Sequence, residues 1–170
     1  LAQKINGLHI IVPTLPHLHS VVDHGLSKLT CDYSIIDDVN EKYTAFARAD
    51  AGLIKSGTGA MEISLTKTPI VITYKVNPIT AWIVRRTIKV KYANIINLIR
   101  NQPIIPECIQ KNCQPEILAK HLEQLLTNEN MRNIQLSRID STFKQLGKDS
   151  TPTPSEKAAQ VVLDLLAEPS

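Results

Sequence analysis

The chain has few aromatic residues, with one Trp, two Phe and four Tyr among 170 residues. Its net charge is only +3, and its Lys and Arg residues are scattered among 16 acidic ones. Proteins that bind nucleic acids usually combine a clustered basic surface with aromatic side chains on which bases stack. The composition therefore argues against a nucleic-acid partner.

Cysteine is also scarce, and the three cysteines, Cys31, Cys108 and Cys113, lack C-x-x-C spacing. An odd number without paired spacing favours reduced thiols over a disulfide framework or a zinc site. The histidines from His9 to His24 fall in different predicted elements, so we expect surface or capping residues there. No metal site and no cofactor are predicted.

Long apolar runs are absent, since no stretch approaches the ~20 residues of a membrane-spanning helix. Residues 1–12 do not show the order of charge, apolar core and small-residue cleavage site that marks a signal peptide. The sequence starts at Leu1 without a Met and runs almost at once into a predicted strand. We therefore expect it to be a piece of a longer protein.

Apolar β-branched runs alternate with amphipathic segments through the first half of the chain. The predicted strands are residues 8–13, 31–36, 50–55 and 69–74, and the predicted helices are residues 18–29, 40–48, 60–67 and 77–87. This alternation is typical of β-α-β units, and continuous apolar strands fit a parallel sheet covered on both faces. An α/β fold with flanking helices follows.

The second half is predicted to be mostly helical. Residues 93–110 read as irregular, residues 115–126 and 130–146 as amphipathic helices, and residues 148–155 as a linker with two Thr-Pro pairs. We predict one domain over residues 1–147 and a separate C-terminal helix at 156–170. This helix is expected to bury Val161, Val162, Leu165 and Leu166.

The run Ser56-Gly57-Thr58-Gly59 is the strongest candidate site. It joins a predicted strand to a predicted helix, and such a turn presents backbone N–H groups at the positive end of a helix dipole, where phosphates bind. Glu62 is placed in the first helical turn, where it can accept hydrogen bonds from a sugar diol. Packing alone would equally explain the turn, and a favourable dipole contact would equally explain Glu62.

Two further regions are candidate surfaces. Asn97 lies in the irregular stretch, where a polar loop is expected to fold over the crevice at the carboxyl ends of the strands. Trp82, Arg85, Arg86 and Lys89 form a basic and apolar run near a helix end. This run is either a solvated helix terminus or a surface for anions or membrane.

Several motifs occur together in register. Residues 49–62 resemble the pattern (A/S)-D-x-x-L-x-x-S-G-T-x-x-x-E of lipid-A-disaccharide synthase, and residues 69–80 resemble its P-x-V-x-x-Y-(R/K)-x-x-P-x-T. The order continues through Arg85-Arg86, Asn97-Leu98 and residues 104–107. About 60 residues match densely, so the resemblance is far more specific than any single motif.

The resemblance implies the C-terminal, donor-nucleotide half of a GT-B glycosyltransferase, a Rossmann-like UDP-sugar-binding domain over residues 1–147. In that family a 2,3-diacylglucosamine unit passes from UDP to the lipid acceptor 2,3-diacylglucosamine 1-phosphate, giving lipid A disaccharide and UDP. Ser56, Gly57 and Thr58 would face the diphosphate, Glu62 the ribose, and Asn97 would lie near UDP. The enzyme would be an inverting hexosyltransferase in the bacterial cytoplasm, peripheral on the inner membrane. It could dimerise by exchanging C-terminal elements.

The sequence departs from the family at two points. The family's L-P-N-L-x-x-G-(R/K) reads here with Asn101 for the glycine and Gln102 for the basic residue, so a phosphate contact there is doubtful, although Arg100 could substitute. The family's glycine-serine-arginine loop and acceptor domain would precede Leu1, so residues 1–170 alone should be inactive. A UDP-N-acetylglucosamine 2-epimerase-like enzyme and a non-catalytic nucleotide-binding module remain alternatives.

Overall fold

A computed structural model describes residues 1–87 and 90–167, without the side chains of residues 82–85, 87 and 167. The strands are β1 (His9–Pro13), β2 (Asp32–Ile36), β3 (Gly52–Lys55), β4 (Ile70–Tyr74) and β5 (Glu107–Ile109). The helices are α1 (His19–Leu26), α2 (Val39–Arg48), α3 (Thr58–Leu65), α4 (Pro78–Thr87), α5 (Ile95–Arg100), α6 (Pro115–Thr127), α7 (Glu129–Gln145) and α8 (Pro154–Ala167).

The strands form two parallel sheets. Strand β1 pairs with β2, with His9 opposite Asp32, while β4 lies between β3 and β5 in the second sheet. Gly52 of β3 faces Ile70, and Ile72 of β4 faces Glu107 of β5. The predicted α/β fold with parallel strands and flanking helices is confirmed.

The prediction of an irregular stretch at residues 93–110 was wrong, because this stretch contains α5 and β5. Helix α5 has six residues, begins where the Asn94 side chain accepts from the Ile96 N–H, and ends at Asn101. Strand β5 has three residues and pairs only with β4 among the described strands. Elements this short show too few residues for a hydrophobic period to emerge.

The core is built around β4. Ile70 and Ile72 are fully buried in one cluster with residues of α3, α5 and α7, whereas Val71 is buried in another with Cys108 and Leu125. Alternate side chains of the strand thus enter opposite layers, and each fully buried aliphatic side chain contributes about 1.5–3 kcal/mol. The sheet is covered on both faces, as its unbroken apolar run predicts.

Helix α7 is also fixed to β4 by polar contacts. The buried Gln135 side chain accepts from the Ile70 N–H at 2.8 Å and donates to the Ile70 carbonyl oxygen at 3.1 Å. These bonds satisfy the first residue of β4. They hold the strand, and the segments that follow it, against the helical layer.

The C-terminal helix differs from expectation, because its apolar side chains are not buried. Val161, Val162, Leu165 and Leu166 are 57–78% exposed. An amphipathic sequence folds as a helix, but its apolar face is buried only where a partner surface exists. The described residues of this chain provide none for α8.

Within the described residues, no helix combines the length and apolarity needed to cross a bilayer.

Candidate functional site

The glycine turn connects β3 to α3 at the carboxyl edge of the sheet. Gly57 is the residue before the helix and has a φ of 153°, a backbone conformation that side-chain-bearing residues rarely adopt. It has no side chain to cap the helix, and the Ala60 N–H donates to the Gly57 carbonyl oxygen at 3.2 Å. The N–H groups of Thr58 and Gly59 are therefore the first-turn donors left for an external acceptor. Thr58 is exposed at this end. Helix N-termini with free N–H groups are common anion-binding sites.

Ser56 connects this turn to the segment after α4. Its hydroxyl donates to the carbonyl oxygen of Ala93 at 3.0 Å. The N–H groups of Ala93 and Asn94 in turn donate to the two carboxylate oxygens of Glu107, at 2.8 and 3.0 Å. The turn is therefore fixed to β5 through two hydrogen-bonded steps.

A cation lies beside the turn. The Lys55 ammonium is 5.2 Å from the ring centroid of Tyr74, a cation–π distance, and the two residues end neighbouring strands. Positive charge at the carboxyl edge adds to the field of the α3 N-terminus. Both features favour an anionic ligand there.

Glu62 lies one turn further into the helix than predicted. Helix α3 begins at Thr58, so Glu62 is its fifth residue and has left the first turn. The helix-dipole explanation for this acid is weakened, because the dipole's effect falls off within the first turn. Its carboxylate instead accepts from Lys42 Nζ at 2.8 Å and from the Tyr43 hydroxyl at 3.4 Å.

Charge pairing sets the protonation of this acid. The hydrogen bond from Lys42 holds the pKa of Glu62 below its ordinary value, and Glu62 in turn raises the pKa of Lys42. Glu62 is therefore a carboxylate at neutral pH. An ionised carboxylate that is 39% exposed can accept hydrogen bonds from ligand hydroxyls.

Asn97 is fully buried and acts on the protein's own backbone. Its amide donates to the Ile105 carbonyl oxygen and to Glu107, both at 2.8 Å, and accepts from the Ile105 N–H at 2.9 Å. In this arrangement it has no donor left for a ligand. Its predicted place near UDP stays a prediction, with the structure supporting an indirect role through the segment it organises.

The departures from the family pattern have a local explanation. Asn101 ends α5 with a φ of 48°, in the left-handed region that glycine favours and that asparagine tolerates best among other residues. Gln102 is exposed, and Arg100 donates to Gln145 of α7 at 3.0 Å. Arg100 thus faces α7, and its substitution for the basic residue of the pattern stays a prediction.

Most of the predicted basic surface lies outside the part of the chain that the structure describes. Lys89 lies outside the described residues, as do the side chains of Trp82 and Arg85. Arg86 is exposed on α4, and Ile79 at the start of this helix is 70% exposed. Apolar and basic groups thus both reach the surface of α4.

The structure brings Ser56, Gly57, Thr58 and Glu62 onto one turn and the helix it opens. Asn97 is connected to this turn indirectly, through hydrogen bonds of Glu107 and Ala93. Sequence reasoning missed Lys42, Tyr43 and Glu107, which position these groups. Lys42 and Glu62 lie on separate helices and are 20 residues apart. No spacing rule within one helix connects such a pair. Chemically, the site offers backbone donors for an anion and a carboxylate for hydroxyl groups.

Comparisons with known proteins give a consistent result. The family model described as lipid-A-disaccharide synthetase matches residues 1–162. The chain is 32% identical to the lipid-A-disaccharide synthase of Rhodospirillum centenum, over 99% of this chain and 42% of the relative.

Two other relatives carry the same name. That of Nitrobacter winogradskyi is 35% identical over 99% of this chain and 42% of the relative. That of Bradyrhizobium diazoefficiens is 37% identical over 96% of this chain and 41% of the relative. The chain therefore spans less than half the length of these relatives.

Proposed function

Because the chain belongs to the lipid-A-disaccharide synthetase family, we propose that it forms the donor-nucleotide part of a glycosyltransferase of lipid A biosynthesis. The whole protein would transfer a 2,3-diacylglucosamine unit from UDP to 2,3-diacylglucosamine 1-phosphate. UDP is the leaving group, and the anomeric centre inverts. Relatives that carry the corresponding name support this reaction.

One observation carries the proposal: an uncapped helix N-terminus and an ionised carboxylate lie on the same short helix. The N–H groups after Gly57 would bind the diphosphate of UDP, and Glu62 would accept from the ribose hydroxyls. Ser56 shapes the turn through Ala93, and Thr58 is open to solvent. The site would thus hold a nucleotide diphosphate by both its anion and its sugar.

In catalysis this part of the enzyme would stabilise the leaving group. Negative charge builds up on the diphosphate as the glycosidic bond breaks, and fixed backbone donors with Lys55 nearby are suited to it. The base that removes the acceptor's hydroxyl proton would come from sequence other than residues 1–170. Residues 1–170 alone are therefore expected to bind UDP without transferring sugar.

The strand order supports a larger sheet in the whole protein. In the common doubly wound order, the second and third strands lie on one side of the first strand, and the fourth to sixth on the other. The observed β1–β2 pair and β3–β4–β5 set match these two groups. A further parallel strand between β1 and β3 would join them into one Rossmann-like sheet.

The exposed apolar face of α8 supports a homodimer formed by exchange of C-terminal helices. Leu165 and Leu166 are 66% and 78% exposed, and burial against a second copy would remove this area from water. Sedimentation of the full chain would show a dimer. Leu165→Asp should shift it towards monomer, and an unchanged profile would argue against the exchange.

The lipid substrates support a peripheral position on the cytoplasmic face of the inner membrane. Exposed Ile79 and Arg86 on α4 offer apolar and cationic contacts to an anionic surface. Vesicles with anionic lipid should retain the full chain more than neutral vesicles. Equal retention by both would contradict an electrostatic contribution.

Calorimetric titration with UDP and ADP tests the donor site. UDP should bind more tightly than ADP, because uridine belongs to the donor. Equal affinity for both would favour a general nucleotide-binding module, and no binding by either would contradict the proposal.

A further inference from the structure

The described residues hold the carboxylate of Glu62 through one of its two oxygens. Lys42 Nζ and the Tyr43 hydroxyl both donate to Oε2, at 2.8 and 3.4 Å. Among the backbone groups and side chains that the structure describes, none donates to Oε1. Since a carboxylate oxygen accepts about two hydrogen bonds, Oε2 is filled and Oε1 is the oxygen left for a ligand.

Lys42 is itself held in place. Its ammonium lies 4.5 Å from the ring centroid of Tyr43 and 5.9 Å from that of Phe46, and these rings meet edge to face. Phe46 packs against the main core cluster. The side chain of Lys42 is only 27% exposed. A long, flexible cation is thus fixed on both the aromatic pair and the carboxylate.

We propose that Lys42 is a positioning residue of the nucleotide site, fixing Glu62 through Oε2 so that Oε1 accepts from the ribose. This inference rests on the proposed UDP site. It assigns a role to α2, which carries none of the site residues predicted from the sequence. A charge-assisted hydrogen bond of this length restrains the carboxylate more strongly than a neutral one would.

The pair also sets the pH range of ribose recognition. Of the residues that the structure describes, Lys42 and Tyr43 of α2 act on Glu62, and the hydrogen bond from Lys42 is the main cause of its lowered pKa. Glu62 accepts from ribose as a carboxylate, so this contact is lost as the pH falls through the pKa of Glu62. Without Lys42 that pKa rises, and the loss begins at a higher pH.

The test is calorimetric titration of the full chain with UDP and with 2′,3′-dideoxy-UDP, which lacks the hydroxyls. Lys42→Met should weaken UDP binding about threefold to tenfold. Lys42→Arg, which keeps the positive charge, should keep the affinity within about twofold of the wild type. Lys120→Met, at an exposed lysine on α6, serves as the matched control and should change nothing. Affinity for the dideoxy nucleotide should be the same in all four proteins.

On acidification, the preference for UDP over dideoxy-UDP should fall at a higher pH in Lys42→Met than in the wild type. Unchanged or tighter UDP binding by Lys42→Met overturns the inference, and so does an equal loss for both nucleotides. If Glu62→Ala weakens UDP binding and Lys42→Met does not, the UDP site stands and only the inference fails. Absence of UDP binding by the wild type overturns both.

Discussion

The Ser56 hydroxyl donates to the carbonyl oxygen of Ala93 at 3.0 Å, and this bond joins the glycine turn to the segment leading into α5. The Ala93 N–H donates to the Glu107 carboxylate of β5 at 2.8 Å. The turn that presents the helix N-terminus is thus supported from outside its own strand and helix. Its position depends on side chains far away in the sequence.

Ser56→Ala removes this support while keeping the turn's backbone sequence. We expect UDP affinity to fall about threefold to tenfold, because one net hydrogen bond is worth about 1 kcal/mol. Calorimetric titration measures the loss. The exposed Ser155→Ala is the matched control and should leave affinity unchanged. Equal UDP affinities for Ser56→Ala and the wild type would show that the hydroxyl does not support UDP binding.

Gly57→Ala tests the conformation of the turn. No atom lies within 4 Å of an added Cβ, so the cost comes from the φ of 153° rather than from a clash. We expect a loss of about 1–3 kcal/mol in the free energy of unfolding, measured by denaturant titration. Gly25→Ala is the control, since this glycine also has open space around it but no such φ. It should be neutral or stabilising, and equal effects at both positions would contradict the explanation.

Asn97→Ala tests whether this side chain organises the 93–107 segment. The change leaves the buried Ile105 N–H without its partner and removes a donor from Glu107. We expect a loss of about 2–4 kcal/mol in the free energy of unfolding. The exposed Gln102→Ala should change it by less than about 0.5 kcal/mol. A stable Asn97→Ala protein with weakened UDP binding would instead indicate direct contact with the nucleotide.

The start of α8 should be sensitive to acid. Glu156 accepts from the Thr153 N–H at 2.7 Å, and the Thr153 hydroxyl accepts from the Glu156 N–H at 3.3 Å, forming a capping box. The backbone bond from Thr153 lowers the pKa of Glu156. Its stabilisation is therefore present above the unfolded pKa and is lost as the pH falls through the lower folded value.

Amide hydrogen exchange in α8 measures this effect. Protection of its first turn should decrease below a pH of about 4.5 in the wild type, near the ordinary pKa of glutamate. Glu156→Gln should show weaker protection at neutral pH and little change on acidification. The same pH profile in both proteins would show that another group is responsible.

The sequence predicts the parts of this fold that rest on local pattern. Unbroken apolar runs identify β4 as a buried strand, and the small residues around Gly57 identify the turn. Helix α5 and strand β5 have six and three residues, too few to show a hydrophobic period. The four exposed apolar residues of α8 show that amphipathicity predicts a helix without naming what covers it.

In the candidate site, too, the sequence predicts what depends on local order and misses what depends on packing between elements. Ser56, Gly57, Thr58 and Glu62 lie on one turn and the helix that follows it, so sequence order places them together. Lys42 reaches Glu62 only because α2 packs beside α3, and side-chain packing across elements is not encoded in any local spacing. The place of Asn97 near UDP stays a prediction, whereas its contacts with Ile105 and Glu107 are seen only in the folded chain.

In the proposed site, the diphosphate of UDP binds at the N-terminus of α3. Amide chemical shifts of the full chain, followed by NMR during titration with UDP, UMP and uridine, test this directly. The largest changes should occur at the N–H groups of Gly57, Thr58 and Gly59 with UDP, with smaller ones for UMP and smaller still for uridine. Saturable UDP binding that leaves these three amides unshifted would contradict binding of the diphosphate at the α3 N-terminus.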